Sequence, residues 1–165
     1  MEFKVGDQVV HPHYGLGQVV KLEVRQFEPG VSRQYYEVSI PGSTLWVPLD
    51  QQTSGLRKLT VKGKLADCRR LLASAPAPLT EDPRMRQSEL SAHLKQGTIV
   101  AHCEVVRDLS AAGWHKTLSG PISTFLRVTL DVLCQEWAAV EGITVEEAAR
   151  QIDACLLQGR KAHDK

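Results

Sequence analysis

Aromatic residues are scarce in this chain: Phe, Trp and Tyr together make up 5% of its 165 residues. An exposed aromatic is therefore a marked feature here and a candidate binding anchor. No sign of charge dominates either, with Lys+Arg at 20, Asp+Glu at 19 and a formal net charge of +1. That balance excludes a protein that coats nucleic acid by bulk charge, while leaving room for a local basic patch. No apolar run approaches the roughly 18–20 residues of a membrane span. The opening Met1-Glu2-Phe3-Lys4-Val5-Gly6-Asp7 alternates apolar and polar residues, unlike a signal or transit peptide. A soluble, cytoplasmic protein is the expectation. Hydrophobic residues at 42% and charged residues at 24% exclude a disordered or collagen-like chain.

Cysteine is sparse too. Cys68, Cys103, Cys134 and Cys155 stand far apart with no C-x-x-C pair, and each lies among apolar residues at helical spacing. They read as buried thiols rather than disulfides or zinc ligands. His11 and His13 flank Pro12, but two local His without a third ligand do not make a metal site. No metal and no cofactor are expected.

What is present divides into two halves with different periods. Phe3, Val5, Val9 and Val10 form a first strand broken by the Gly6-Asp7 turn, followed by the irregular stretch His11-Pro12-His13-Tyr14-Gly15-Leu16-Gly17. Strands are expected over Val19–Val24, Gln34–Ile40 and Thr44–Leu49, with a loop at Phe27-Glu28-Pro29-Gly30 and a turn at Pro41-Gly42. Tyr36, Val38 and Ile40 share one face, and Pro48 ends the last strand or sets it at an edge. Short strands so closely spaced predict a small Tudor- or SH3-like β barrel over residues 1–60.

From Val61 onward the period is helical, giving an all-α bundle over residues 61–165 with a Pro-rich turn at 74–83. Leu65, Cys68, Leu71 and Leu72 mark the apolar face of a first helix, which Pro76 and Pro78 stop. Further helices are expected over Met85–Gln96 with Thr80 as N-cap, over Ile99–Ala111, from Ile122 to about Val140, and over Val145–Leu157. Gly97, Gly113 and Gly142 close the middle three, and Thr144-Val145-Glu146-Glu147 opens the last as a capping box. The fold class is α+β in two domains. No catalytic motif is present: there is no G-x-S-x-G, phosphate-cradling G-x-x-x-x-G-K, H-E-x-x-H or G-x-G-x-x-G after a strand. The G-x-G at Gly15–Gly17 is explained by a tight β-turn. The chain reads as a binding protein, not an enzyme.

The N-terminal stretch from Phe3-Lys4-Val5-Gly6-Asp7 to His13-Tyr14-Gly15 resembles the opening of the CarD/CdnL family of bacterial transcription regulators, whose module recurs in the transcription-repair coupling factor. Val47-Pro48, Gly55-Leu56-Arg57, Val105-Val106-Arg107-Asp108-Leu109, Leu118-Ser119, Leu126, Leu133 and Glu136 fit the same family, so the resemblance covers nearly the whole chain. It implies a monomeric adaptor. The β domain would dock on the β subunit of bacterial RNA polymerase through a strand edge, and the helical domain would touch promoter DNA at the upstream edge of the transcription bubble. Edge pairing is physically sound, because an edge strand offers backbone groups to a partner strand.

On that resemblance the polymerase-contacting residues are Arg25, Gln26, Trp46, Val47 and Pro48. Trp46 stands where a basic residue is often found in the family. Two readings of it stay open: a core side chain, or an exposed anchor with Leu45 and Val47 facing the opposite side. The expected DNA-contacting residues are Pro83, Arg84, Arg86 and Arg127. Pro83 occupies the position where the family carries a Trp that wedges into the minor groove. It is either a weaker wedge or simply a first-turn proline. Trp114 is a further candidate for exposure, whereas Trp137 lies in an apolar stripe and is expected in the core. Three functions remain in view: a CarD-like regulator of open-complex stability, a polymerase-docking adaptor that has lost DNA contact and recruits another protein, and a generic Tudor-like reader.

Overall fold

The computed structural model describes residues 3–49 and 55–164; the Met1-Glu2 opening lies outside them. Five strands, β1 (Gln8–His11), β2 (Gly15–Glu28), β3 (Val31–Ile40), β4 (Ser43–Pro48) and β5 (Arg57–Lys58), form one antiparallel sheet. Their order is β4-β3-β2-β1-β5. The helical half follows, so the chain is α+β in two parts.

Alternation explains the sheet's core. Val9, Val19, Tyr36, Val38 and Val47 point inward and bury almost completely. Three details differ from expectation. Phe3 is not in β1: its backbone N–H donates to the Tyr36 hydroxyl at 3.2 Å, and its ring meets Tyr36 edge-on at 5.5 Å. β2 runs far past Val24, because β3 keeps pairing with it at Arg25↔Arg33 and again at Glu28↔Val31. The expected loop thus shrinks to the Pro29-Gly30 turn, with register shifts between Val19 and Lys21 and between Arg25 and Glu28. The two-residue β5 is too short to show a period in sequence, and pairing with Val9 and Val10 alone defines it.

The two glycines of the G-x-G serve different ends. Gly15 adopts φ +79°, and a Cβ there would collide with the Gln135 side chain. Gly17 has no such backbone, but a Cβ would lie 2.8 Å from Val38 Cγ1 and 2.9 Å from the Ser39 carbonyl. The first glycine admits the helical half; the second admits β3.

A 3₁₀ turn, Lys62–Lys64, leads into α1 (Leu65–Leu72), then α2 (Pro83–Leu94), α3 (Ile99–Ala112), α4 (Gly120–Glu141) and α5 (Val145–His163). The N-cap of α2 is Asp82, not Thr80. The Asp82 carboxylate accepts from the N–H groups of Arg84 at 2.9 Å and Met85 at 3.2 Å, and Pro83 follows as the first helical residue. The Thr80 hydroxyl instead donates to Glu89. Thr144 caps α5 as expected, accepting from Glu147 N–H at 3.1 Å, but that helix continues to His163. Leu65, Cys68, Ile99, Cys103, Val106, Leu133 and Ile152 surround a fully buried Trp137, whose indole N–H donates to Gln151 at 2.9 Å. Cys134 is buried as well, while Cys155 is only half-buried. The Pro-rich turn is tied to α3 by Ala77 N–H donating to Asp108 at 2.9 Å and by Arg107 donating to the Ser74 hydroxyl at 3.1 Å.

Polar side chains lock sheet to helices. Arg57 on β5 makes two hydrogen bonds to Glu136 on α4, and the Thr60 N–H donates to the same carboxylate at 2.9 Å. Next to Glu136, Gln135 accepts from the Leu16 N–H at 3.1 Å.

Candidate functional site

The outward face of the sheet gathers the expected docking residues. Cross-strand register places Lys21, Glu23 and Arg25 of β2 on the same face as Tyr35 and Glu37 of β3 and Trp46 of β4. The Arg25 guanidinium stacks over the Trp46 ring at 4.7 Å and pairs with Glu23, which also holds Lys21 at 3.1 Å. Those cations, Lys21 first, keep the Glu23 carboxyl below its ordinary range. Trp46 is 37% exposed, which settles its orientation as outward. Gln26 is exposed at the second register shift of β2, and Pro48 is half-buried opposite Tyr35. Val47 requires a correction: its side chain is in the core at 4% exposure, so only its backbone can meet a partner.

The β2–β3 hairpin outruns the rest of the sheet. β1 pairs with β2 only from Gly15 to Gln18, so the segment Lys21–Glu28 has no paired strand on that side among the described residues. On the opposite face of this segment Leu22 and Val24 stand exposed at 49% and 62%.

The second set of residues divides. Pro83 and Arg84 open α2 at the rim of a cleft whose other wall is α4. Arg86 faces elsewhere: it is half-buried, donates to the Thr80 carbonyl at 3.4 Å, and lines a depression that also holds Glu89, Glu104 and Asp108. The reason is helical geometry, because residues two apart lie on different faces. Arg127 is exposed on α4 and lines neither hollow. Trp114 is half-buried, with Arg160 of α5 donating to its carbonyl at 3.0 Å and stacking on its ring at 6.0 Å.

Sequence reasoning missed two exposed groups at this end. Met85, 55% exposed, presents an apolar side chain beside Pro83 and Arg84. Its exposure was detectable, since α2 has few apolar residues and buries only Leu90 and Leu94. His13 reaches the same cleft from the sheet domain. Its placement depends on His11, whose Nδ1 accepts from the N–H groups of His13 at 3.1 Å and Tyr14 at 3.4 Å. Burial first, and neighbouring His13 second, lower the His11 pKa to about 4, so the imidazole stays neutral and keeps that acceptor.

Among the described residues no three His, Cys, Asp or Glu groups gather as a metal site, and no helix is long and apolar enough to cross a membrane. Residues 3–60 match the CarD-like/TRCF RID domain, and residues 68–153 match the CarD C-terminal domain. The chain is also similar to YdeB of Bacillus subtilis (strain 168), a protein named there as a candidate transcription factor. Identity is 26% over 148 residues, covering 88% of this chain and 96% of that one.

Proposed function

This chain belongs to the CarD-like family of transcription factors, and from that premise we propose that it docks on the bacterial RNA polymerase β subunit and modulates the stability of promoter open complexes. The observation that carries the docking half is the overrunning hairpin. An unpaired stretch of β2 offers backbone groups to a partner strand, and the Arg25–Trp46 stack beside it supplies an aromatic anchor and a cation. Gln26 and Pro48 flank the contact, and Val47 supports it from within the core. Such a protein works as a monomer in the cytoplasm, held at the nucleoid by polymerase.

The DNA half rests on fewer groups. Arg84 and Arg127 are outward and free to meet phosphates, Pro83 and Met85 form the apolar tip that would press on a distorted minor groove, and Arg86 braces the helix from its other side. The inward turn of Arg86 and the proline at the helix start favour, as a second reading, an adaptor that keeps polymerase docking, has lost DNA contact and recruits another protein.

A pull-down of the full chain with the isolated β-subunit lobe tests the first half; a footprint of the upstream bubble edge with polymerase present then separates the two readings. Failure to capture the lobe leaves only a generic Tudor-like reader.

A further inference from the structure

Beyond Pro83 and Arg84 at its rim, the cleft between α2 and α4 has a composition that neither polymerase docking nor duplex contact uses. It measures about 960 Å³, near the upper end of the roughly 300–1,000 Å³ typical of small-molecule sites, and it lies between two helices of a bundle, a place where such sites occur. Its apolar part is built from Pro121, Phe125 and Val128 on α4. Its rim carries the exposed Arg84 of α2 and His13 of the sheet domain, with amide and hydroxyl groups from Gln87, Ser88 and Thr124. No Asp or Glu among the described residues lines it, although the chain has 19 of them.

The contrast with the neighbouring depression is informative. There Arg86 and Arg107 face Glu89, Glu104 and Asp108, so cations and anions already meet. In the α2–α4 cleft Arg84 faces no lining carboxylate among the described residues. The first turn of α4 adds to the imbalance. Gly120 and Pro121 line the cleft, and the N-cap Ser119 makes no side-chain hydrogen bond to the helix N–H groups. The positive end of that helix is thus not neutralised by its own cap.

A ligand that matches this wall has a flat apolar body, hydrogen-bonding edges and a terminal anion. A sugar phosphate lacks the first, and an acyl chain lacks the second. We propose that the cleft binds a free nucleoside phosphate, with the base against Phe125 and Val128 and the phosphate directed to Arg84 and the start of α4. The Arg84–phosphate contact is the charge-assisted, bidentate kind that guanidinium geometry suits.

The test is isothermal titration of the full chain alone, without polymerase or promoter duplex, against ATP, GTP, adenosine, inorganic phosphate and a short single-stranded oligodeoxynucleotide. Mononucleotide binding that exceeds binding of both adenosine and phosphate is expected. Arg84→Gln, and Gln87→Glu, which adds a carboxylate of nearly the same shape, should each weaken it about tenfold or more. Thr124→Trp, at an exposed helix position, should fill the cleft and abolish it, with retained helical circular dichroism showing an intact fold. No nucleotide binding, phosphate bound as well as nucleotide, binding of the oligonucleotide alone, or indifference to all three variants would overturn the assignment. Because neither polymerase nor promoter duplex is present, such a failure leaves the transcriptional reading untouched.

Discussion

The Arg57 guanidinium grips the Glu136 carboxylate end to end, Nη1 donating to Oε2 at 2.6 Å and Nη2 to Oε1 at 2.5 Å, with both side chains at most 5% exposed. One partner sits on β5 and the other on α4, so this pair fixes the sheet domain against the helices. A protein that must touch two surfaces at once needs that fixed geometry, since binding energy at one site is otherwise lost in reorienting the other.

Removing one partner leaves the other charge buried and uncompensated. Glu136→Ala and Arg57→Ala should each destabilise the fold by about 3–5 kcal/mol, whereas the double variant should fall well short of their sum. Urea denaturation of the four proteins measures this directly. Additive losses would mean the two groups are not coupled.

At the sheet, Trp46→Ala should remove polymerase β-lobe binding while lowering Tm by no more than a few degrees, because the ring is partly exposed and packs against Arg25 rather than the core. Arg25→Glu should do the same, placing a second carboxylate beside Glu23 where a cation now sits. A large Tm loss in either would reassign the residue to folding.

Much of this architecture was legible in the residues, and the exceptions have physical causes. Alternation marks Tyr36 and Val38 as inward and the helical stripe marks Trp137 as core, whereas it left Trp46 open between core and surface until the structure turned it outward and Val47 inward. β5 was hidden because two residues carry no period, and the length of β2 because its distal part is held by β3 with no core beneath it. The sequence does not separate Thr80 from Asp82 as the cap of α2, because both precede the helix and geometry alone decides which carboxylate or hydroxyl reaches the N–H groups. Arg84 and Arg86 look equivalent in sequence; the helix turns them to different surfaces. His13 joined the cleft through a domain contact separated by most of the chain, which no local pattern encodes.

Acid should loosen the structure through His102. It is buried on α3 at 1% exposure, with Nδ1 3.5 Å from the Thr98 carbonyl and Nε2 without a hydrogen-bond partner among the described residues. Burial first, then the nearby Arg57 charge, lower its pKa from 6.5 to about 4. Between those values the unfolded chain binds a proton that the folded chain refuses. The stabilising effect is therefore complete above pH 6.5 and declines as pH falls towards 4, by up to roughly 3 kcal/mol. His11, shifted in the same direction, adds to the slope. Denaturant midpoints across this range should fall with acidity, and His102→Asn should flatten the curve; an unchanged slope would assign the acid sensitivity elsewhere.

On the proposed function, the start of α2 decides how far the helical domain engages DNA. With Arg84 and Arg127 as the two outward cations among the residues proposed to meet DNA, that surface offers two phosphate contacts, so its binding to duplex should show a shallow salt dependence, a log–log slope near −2. Affinity that low is undetectable for the isolated chain at physiological salt, and contact becomes effective only when polymerase docking raises the local concentration. Pro83 and the exposed Met85 then supply the apolar groups at the tip of α2 presented to the groove. Replacing Pro83 by Trp enlarges that face, and because the position is exposed and N-capped by Asp82 rather than by its own side chain, the helix should tolerate the change. Promoter open-complex lifetime is the readout, measured with wild type, Pro83→Trp, Met85→Ala and Arg84→Ala/Arg127→Ala. The aromatic should strengthen the effect on lifetime and the two truncations should weaken it, since unstacked bases at the bubble edge gain a stacking surface in one case and lose apolar or phosphate contacts in the others. Equal lifetimes for all four proteins, with lobe binding intact, would place the helical domain off the DNA and leave recruitment of another protein as its task.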